Sequence, residues 1–409
     1  MPAQPILVLN SGSSSIKFSV YDAGDGQRTK IFEGAVDGIG TELGKFWIKN
    51  AQGKKLLDLT PALPNRDVAF KLVADALHSG DFPAPEAIGH RMVCGAPSLQ
   101  HNQRVTPEMI DEMERFKDLA PLHTPIGAYI MREALRLFPG VPNFACPDSY
   151  FHRTMPQVAT HMPIPAEYSA MGVRRIGFHG ISYESIVHQL QPNVPQKLIV
   201  AHLGNGASIA AIRNGQCIDT SMGLSPTGGI VSGSRTGDID PGVLLFILRK
   251  IAETTPSATE AADQLEVVVS KRAGLVGVSD RSNDMRDLRD AIRDGDQKAR
   301  LAVNLFTWTV AKCIGGYVAG LNGLDMLVFT GGIGENDIDS RAEICSGLTA
   351  LGIVLDPTRN NVRGPAVISA ENSPVTVRVI PPAEDLVIVN HVVHLLSGRD
   401  QPLTLPAGL

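Results

Sequence analysis

Cysteine is scarce in this 409-residue chain, aromatic side chains make up only 5% of it, and neither charge sign dominates. The five cysteines, Cys94, Cys146, Cys217, Cys313 and Cys345, are far apart, odd in number and form no CxxC pair. That pattern builds neither a disulfide framework nor a zinc site, and a reducing cytoplasm is the expected compartment. Apolar runs are short: Val243 to Leu248 is among the longest, far below the ~20 residues of a membrane-spanning helix. No membrane association is expected, and the first ten residues carry no basic leader, so no signal peptide is expected either. Lys and Arg number 37 against 42 Asp and Glu, a net charge of −5. That balance argues against a nucleic-acid binder, which concentrates positive charge on one face.

Glycine, by contrast, is plentiful, with 40 residues, and suits turns that approach ligands closely. The length implies two or three domains. One arrangement occurs twice. Ile6 to Leu9 reads as a buried strand, Asn10 to Ser15 as a small-residue turn, and Ile16, Phe18 and Val20 alternate with polar neighbours as a second strand. Asp25-Gly26 then turns into a third strand around Ile31 to Val36. The same order returns as Leu198 to Ala201, the turn His202 to Gly206, the strand Ala207 to Arg213, the hairpin signal Asn214-Gly215, and Gln216 to Asp219. Any α/β chain contains several hairpins, but here both copies carry small polar residues at the same place, which favours duplicated lobes.

Helices alternate with strands elsewhere. Thr106 reads as an N-cap before Pro107, with Met109, Ile110, Met113 and Phe116 at helical spacing. Ala299 to Leu321 is apolar nearly all round and reads as a buried helix. A buried strand, Asp325 to Phe329, leads to a third small-residue loop, Thr330 to Asn336, and a helix through about Ala350.

Three such loops, each after a strand, suit phosphate binding, because backbone N–H groups reach phosphate oxygens only where side chains leave room. The first, Asn10 to Lys17, supplies an amide, four hydroxyls and a cation, yet is not a Walker A motif. The third has Asp337 where GxGxxG needs a final glycine, so the dinucleotide fingerprint fails.

Five motifs occur in order: Asn10-Ser11-Gly12-Ser13-Ser14-Ser15-Ile16-Lys17-Phe18, Gly177-Phe178-His179-Gly180, His202-Leu203-Gly204-Asn205-Gly206, Arg235-Thr236-Gly237-Asp238-Ile239-Asp240-Pro241 and Gly331-Gly332-Ile333-Gly334-Glu335-Asn336. Together they resemble the acetokinase family of acetate, propionate and butyrate kinases, over about residues 6 to 395. The resemblance implies an α/β fold of duplicated ribonuclease H-like lobes, the superfold of actin, Hsp70 and hexokinase, with ATP in a cleft between them, and a homodimer. On this reading the N-terminal lobe is 1–148, with a C-terminal helix at about 384–409 packing back on it, and the nucleotide-binding lobe is 149–383. The implied reaction is reversible, Mg²⁺-dependent (or Mn²⁺-dependent) transfer from ATP to acetate, giving acetyl phosphate by in-line displacement. Propionate or butyrate is the alternative acceptor.

Such chemistry needs no general base, since a carboxylate is already an anion. It needs charge neutralisation and alignment, for which arginine's planar fork is suited. The resemblance implies Arg91 and Arg235 at the acyl substrate and the transferring phosphoryl group, and His179 as the transition-state hydrogen-bond donor. Val93, Leu122, Phe178 and Pro226 match the acyl pocket. Ser13, Ser15, Lys17, His202, Leu203, Gly204, Asn205 and Gly206, with Asp284, Met285, Arg286, Gly331, Gly332, Ile333, Gly334 and Asn336, match the ATP-binding elements. Asp148 and Glu384, with Asn10, are the metal candidates, and Glu384 is ambiguous with Asp385.

The chain departs from the family pattern at three places. Met92-Val93-Cys94-Gly95-Ala96-Pro97 replaces Val-Val-His-Gly-Gly-Glu, Ile181-Ser182-Tyr183 replaces Thr-Ser-His, and Ser225-Pro226-Thr227-Gly228-Gly229 replaces Thr-Pro-Leu-Glu-Gly. Two other readings share the superfold. A sugar or polyol kinase would need a carboxylate base where two arginines stand, and an actin-like ATPase would carry inserted subdomains that the length does not accommodate.

Overall fold

The computed structural model describes residues 4–398 except 13, 25, 27, 94, 97 and 118–122. Ser13, Leu122 and Cys94, and the stretch expected to extend the last helix past 398, lie outside the described residues. Contacts divide the chain into two units: residues up to Tyr150 together with those from Ala383, and Phe151–Pro382.

The first unit is built on an eight-stranded sheet. Its strands are β1 (Pro5–Ser11), β2 (Ser15–Asp22), β3 (Thr29–Asp37), β4 (Lys45–Asn50), β5 (Lys55–Leu59), β6 (Ala87–Met92), β7 (Gln103–Arg104) and β8 (Asn143–Pro147), in the order β5-β4-β3-β2-β1-β6-β8-β7. The continuous apolar run of β1 is buried on both faces, as a central strand requires. β2 alternates, burying Ile16, Phe18 and Val20 and exposing Lys17. The two pair antiparallel with Asn10 opposite Lys17, while β6 runs parallel to β1 and β8 parallel to β6. The helix Glu384–Leu396 lies on β6. A Cβ on Gly89 would stand 2.5 Å from Ile388 Cγ2 and 2.9 Å from Val392 Cγ2, so only glycine lets the helix lie this close.

The second unit repeats the plan with β9 (Lys197–Leu203), β10 (Ala207–Arg213), β11 (Gln216–Thr220), β12 (Met326–Thr330), β13 (Ala366–Val367) and β14 (Thr376–Val379), ordered β11-β10-β9-β12-β14-β13. β9, β10 and β11 form an antiparallel meander, β12 joins β9 in parallel, and β14 joins β12 in parallel. The units therefore share the ribonuclease H-like strand order third-second-first-fourth-fifth. The β10–β11 turn takes positive φ at Asn214 (52°) and Gly215 (77°), the conformation its residues favour.

Three local expectations change. His202 and Leu203 end β9 rather than entering the turn, because the register with β10 continues to Ala207. Gly331–Asn336 is a short helix, not a loop, followed by a helix at Ile338–Ser346. The helix Gln297–Leu321 buries Ala302, Phe306, Val310 and Ile314 but exposes Leu301 (59%), Leu305 and Trp308 (67%). Those three lie four and three residues apart on one face, which points away from the sheet that the other face covers. By length and composition this helix could cross a membrane, yet its inner stripe belongs to the unit's core.

Candidate active site

In the first unit, parallel pairing of β6 and β8 places Arg91 opposite Cys146. The guanidinium donates through Nε to Asp148 Oδ1 (3.2 Å) and through Nη2 to Oδ2 (2.6 Å), a two-pronged ion pair in which Asp148 is 1% exposed. Nη1 donates to Asn10 Oδ1 at 3.3 Å. Glu384, at the start of its helix, is pushed up in pKa by burial, against the lowering pull of Arg91; Asp148 and Asp385 add to the rise. Asp385 accepts from Ser19 Oγ at 2.8 Å. Lys17 is exposed on β2 and acts electrostatically on Glu384. Ser15 opens β2, and Val93 is half-buried just past β6.

In the second unit, His179 sits in left-handed backbone (φ 56°) immediately before the helix Gly180–Gln189. A non-glycine residue there stores strain of about 1–3 kcal/mol, which recurs at functional sites. Its Nδ1 is 2.8 Å from Ser208 Oγ, and its ring stacks on His202 with centroids 4.3 Å apart and planes at 26°. His202 Nδ1 is 2.8 Å from Ser182 Oγ. Arg235 is anchored by donation from Nη1 to the Pro226 carbonyl at 3.2 Å. A Cβ on Gly206 would lie 3.2 Å from Arg235 Nη1 and 3.4 Å from His179 Nε2. A guanidinium and an imidazole thus converge on one glycine, an arrangement that accommodates an anion. Phe178 and Pro226 are buried beside these residues in sequence.

A cavity of about 1000 Å³ opens in the same unit, lined by Gly204, Asn205, Asp284, Met285, Arg286, Gly332, Ile333 and Asn336 among others. Asn205 Oδ1 accepts from Asn283 Nδ2 at 3.0 Å, which ties the Gly204–Gly206 turn to the Asn283–Arg286 segment. Asp284 caps the helix Met285–Arg293 and pairs with Arg286.

A sequence profile of the acetokinase family matches residues 5–390. The acetate kinase of Geobacillus sp. (strain WCH70) is 38% identical over 96% of this chain and 99% of its own length. The crystal structure of Porphyromonas gingivalis acetate kinase superposes with a TM-score of 0.83 at 33% identity, covering 96% of this chain and 100% of that one. A propionate kinase from Francisella tularensis superposes with a TM-score of 0.86 at 34% identity, covering 96% and 99%. The chain belongs to the acetokinase family. It is accordingly a phosphotransferase with a carboxyl group as acceptor.

Within this acetokinase, the residues singled out from sequence do not all stand at the cavity. Leu203 is a core side chain whose carbonyl would lie 2.8 Å from a Cβ on Gly331, so both pack the floor instead of lining the space. Gly334 likewise packs against Phe329 and Ala201. Asn283, Asn361 and Arg363 line the cavity and were not foreseen. Asn361 follows a short helix with no periodic signal, and Asn283 stands in the matched segment Asn283-Asp284-Met285-Arg286-Asp287, of which only Asp284, Met285 and Arg286 were singled out. Arg341 is fully buried and donates to the carbonyls of Gly334, Glu335, Asn360 and Val362 and to Asn360 Oδ1. It braces the cavity wall on either side of Asn361. The departing segment is clasped in place, with Thr227 Oγ1 3.0 Å from Ser270 Oγ and the Thr227 carbonyl accepting from Gly237 N.

Proposed function

We propose that this protein transfers the γ-phosphoryl group of ATP to acetate, giving acetyl phosphate and ADP in a reversible reaction in the cytoplasm. The convergence of Arg235 Nη1 and His179 Nε2 on Gly206 is the observation that carries the reading. Two donors held at one small residue are what a transferring phosphoryl group requires, since its charge spreads over its equatorial oxygens. Arg91 supplies the cation for the acceptor carboxylate, its plane fixed by Asp148 and Asn10. A rigid fork aligns a carboxylate without paying the entropy of an untethered side chain. Val93, Phe178 and Pro226 are assigned to the acyl end, and the cavity beside Asn205, Met285 and Ile333 to the nucleoside.

Magnesium (or manganese) is assigned to the oxygen donors near Arg91. No cluster of three or more His, Cys, Asp or Glu side chains able to hold a metal occurs among the described residues, so water and phosphate oxygens would supply most of its ligands. Three carboxylates, Asp148, Glu384 and Asp385, act on that one guanidinium, and burial, with Asp148 and Asp385 adding to it, raises the pKa of Glu384. Asp148 is engaged by Arg91 and Asp385 by Ser19, so Glu384 would be the carboxylate that holds the ion, with Asn10, whose Oδ1 also accepts from Arg91, as the second candidate and water and phosphate completing the shell. Bound there, the ion would neutralise charge on the phosphate oxygens.

A homodimer accounts for the exposed apolar faces of the second unit. The helix Pro241–Ala252 buries none of its residues, with Phe246 61% exposed, and the helix Gln297–Leu321 presents Trp308. A second copy of the chain is the occupant proposed for them.

Trapping the product with hydroxylamine tests the reaction. Acyl hydroxamate should form with ATP and acetate, and also with propionate, because one methylene separates acids by only about 1–3 kcal/mol. No hydroxamate with any short acid, or turnover with glycerol or a hexose instead, would sink the proposal.

A further inference from the structure

We propose that Tyr183 is a positioning residue that acts through Ser208 to hold His179 in the tautomer carrying its proton on Nε2. The proposal rests on the reading of His179 as the donor to the transferring phosphoryl group.

Tyr183 is fully buried on the helix that begins just after His179, and its hydroxyl hydrogen-bonds to Ser208 Oγ on β10. The same Oγ lies 2.8 Å from His179 Nδ1, and Ser208 is itself fully buried. A serine hydroxyl has one proton to give and lone pairs to receive. Of the two hydroxyls the phenol is the stronger acid, so Tyr183 donates to Ser208 and Ser208 donates to Nδ1. With Nδ1 accepting, a neutral imidazole keeps its proton on Nε2. That is the nitrogen which, beside Arg235, faces Gly206. Stacking on His202, itself bonded to Ser182 of the same helix, keeps the ring from turning.

The ring of Tyr183 has a second contact. It meets His152 edge-on at 5.7 Å and tilts against Phe151 at 6.4 Å. His152 Nε2 donates to the Phe178 carbonyl at 2.9 Å, and its Nδ1 lies 3.1 Å from Cys217 Sγ. Gly177 (φ 75°) lies against the same imidazole, with its hypothetical Cβ 2.5 Å from His152 Cδ2. One buried side chain therefore touches both the residue that clamps the Gly177–His179 turn and the hydroxyl that orients the His179 ring.

Position 183 is also where this chain departs from its family pattern, with tyrosine in place of histidine. A phenol holds one proton across the neutral range, whereas an imidazole can present either tautomer or a charge. The phenol therefore keeps a proton to donate at its own end of the relay across the neutral range.

The test uses the full-length protein. Tyr183→Phe removes the hydroxyl and leaves the ring on His152. Its kcat should fall by roughly 10–100-fold, as for other partners that orient a functional histidine, with KM for ATP and acetate within about twofold. Ser208→Ala should fall similarly, and the double variant should be no worse than either single, since one relay is broken once. Tyr183→His should recover part of the loss. Nitrogen-15 correlation spectra of the His179 ring should show the proton on Nε2 in the parent and a tautomer mixture in Tyr183→Phe. A proton on Nδ1 in the parent, a Tyr183→Phe kcat equal to the parent's, or losses that multiply in the double variant would each overturn the relay. Full activity in His179→Ala would instead overturn the assigned role of His179, while the tautomer spectrum still judges the relay.

Discussion

The Ser19 hydroxyl donates to Asp385 Oδ2 at 2.8 Å, and that bond gives two adjacent carboxylates different surroundings. Asp385 is tied to β2, whereas the surroundings of Glu384 are Arg91, Asp148 and Lys17. Glu384→Gln should therefore raise the Mg²⁺ concentration needed for half-maximal turnover by at least about tenfold, the scale of losing one ligand or its support. Asp385→Asn should leave that requirement nearly unchanged and destabilise by about 1 kcal/mol through its weakened bond to Ser19. Metal titrations and denaturant midpoints on both variants check this, and equal metal effects would contradict the assignment.

Arg91 and Asp148 form a pair that can be broken from one side. Arg91→Ala leaves Asp148 buried without its cation, which costs about 3–5 kcal/mol. Adding Asp148→Asn should recover most of that stability but none of the hydroxamate-forming activity. Urea unfolding alongside the assay separates the two effects.

His90 supplies a pH dependence. Burial lowers its pKa from 6.5 to about 4, and Nε2 donates to Asn143 Oδ1 at 2.7 Å. Asn143 donates its own amide to the Val141 carbonyl, so the shared oxygen can only accept. Between pH 6.5 and about 4 the unfolded chain takes up a proton that the folded chain refuses. Stability from this group is thus complete above 6.5 and declines as the pH falls towards 4. His90→Gln keeps a donor and loses the titration, so its Tm should fall less than the parent's between pH 7 and 5. Parallel Tm curves would rule out the contribution.

Replacing Arg341 by Met should strand four carbonyls and an amide oxygen inside the second unit. A loss of about 3–5 kcal/mol is expected, since each unsatisfied buried group costs about 1–3 kcal/mol and water relieves some of them. Because Asn361 lines the cavity, KM for ATP should rise more than KM for acetate. Arg341→Lys should rescue little, as a point charge cannot serve both edges of the planar fork.

If a second copy covers the exposed apolar faces, Trp308→Glu and Phe246→Glu should each yield monomers by light scattering at concentrations where the parent is dimeric. A parent that scatters as a monomer would remove the dimer proposal.

Much of this protein was legible along the chain. The two strand–turn–strand hairpins, the N-cap at Thr106 and the glycine-rich turns are local: each follows from alternation, turn chemistry or capping within a few residues. The motifs were long enough to identify the family, and with it the reaction class. The tertiary structure decided what local patterns cannot encode. It brought Glu384 beside Arg91 through a helix seated on Gly89, gave Asp385 to Ser19, and set Asn361 in the cavity wall. It left an apolar face of the helix Gln297–Leu321 exposed, because a cylinder packed on a sheet buries only the stripe that touches it. It also turned Tyr183 from a departure in a motif into the far end of a hydrogen-bond relay. Sequence fixes which groups can donate and accept; which of them meet depends on the surfaces that distant strands bring together.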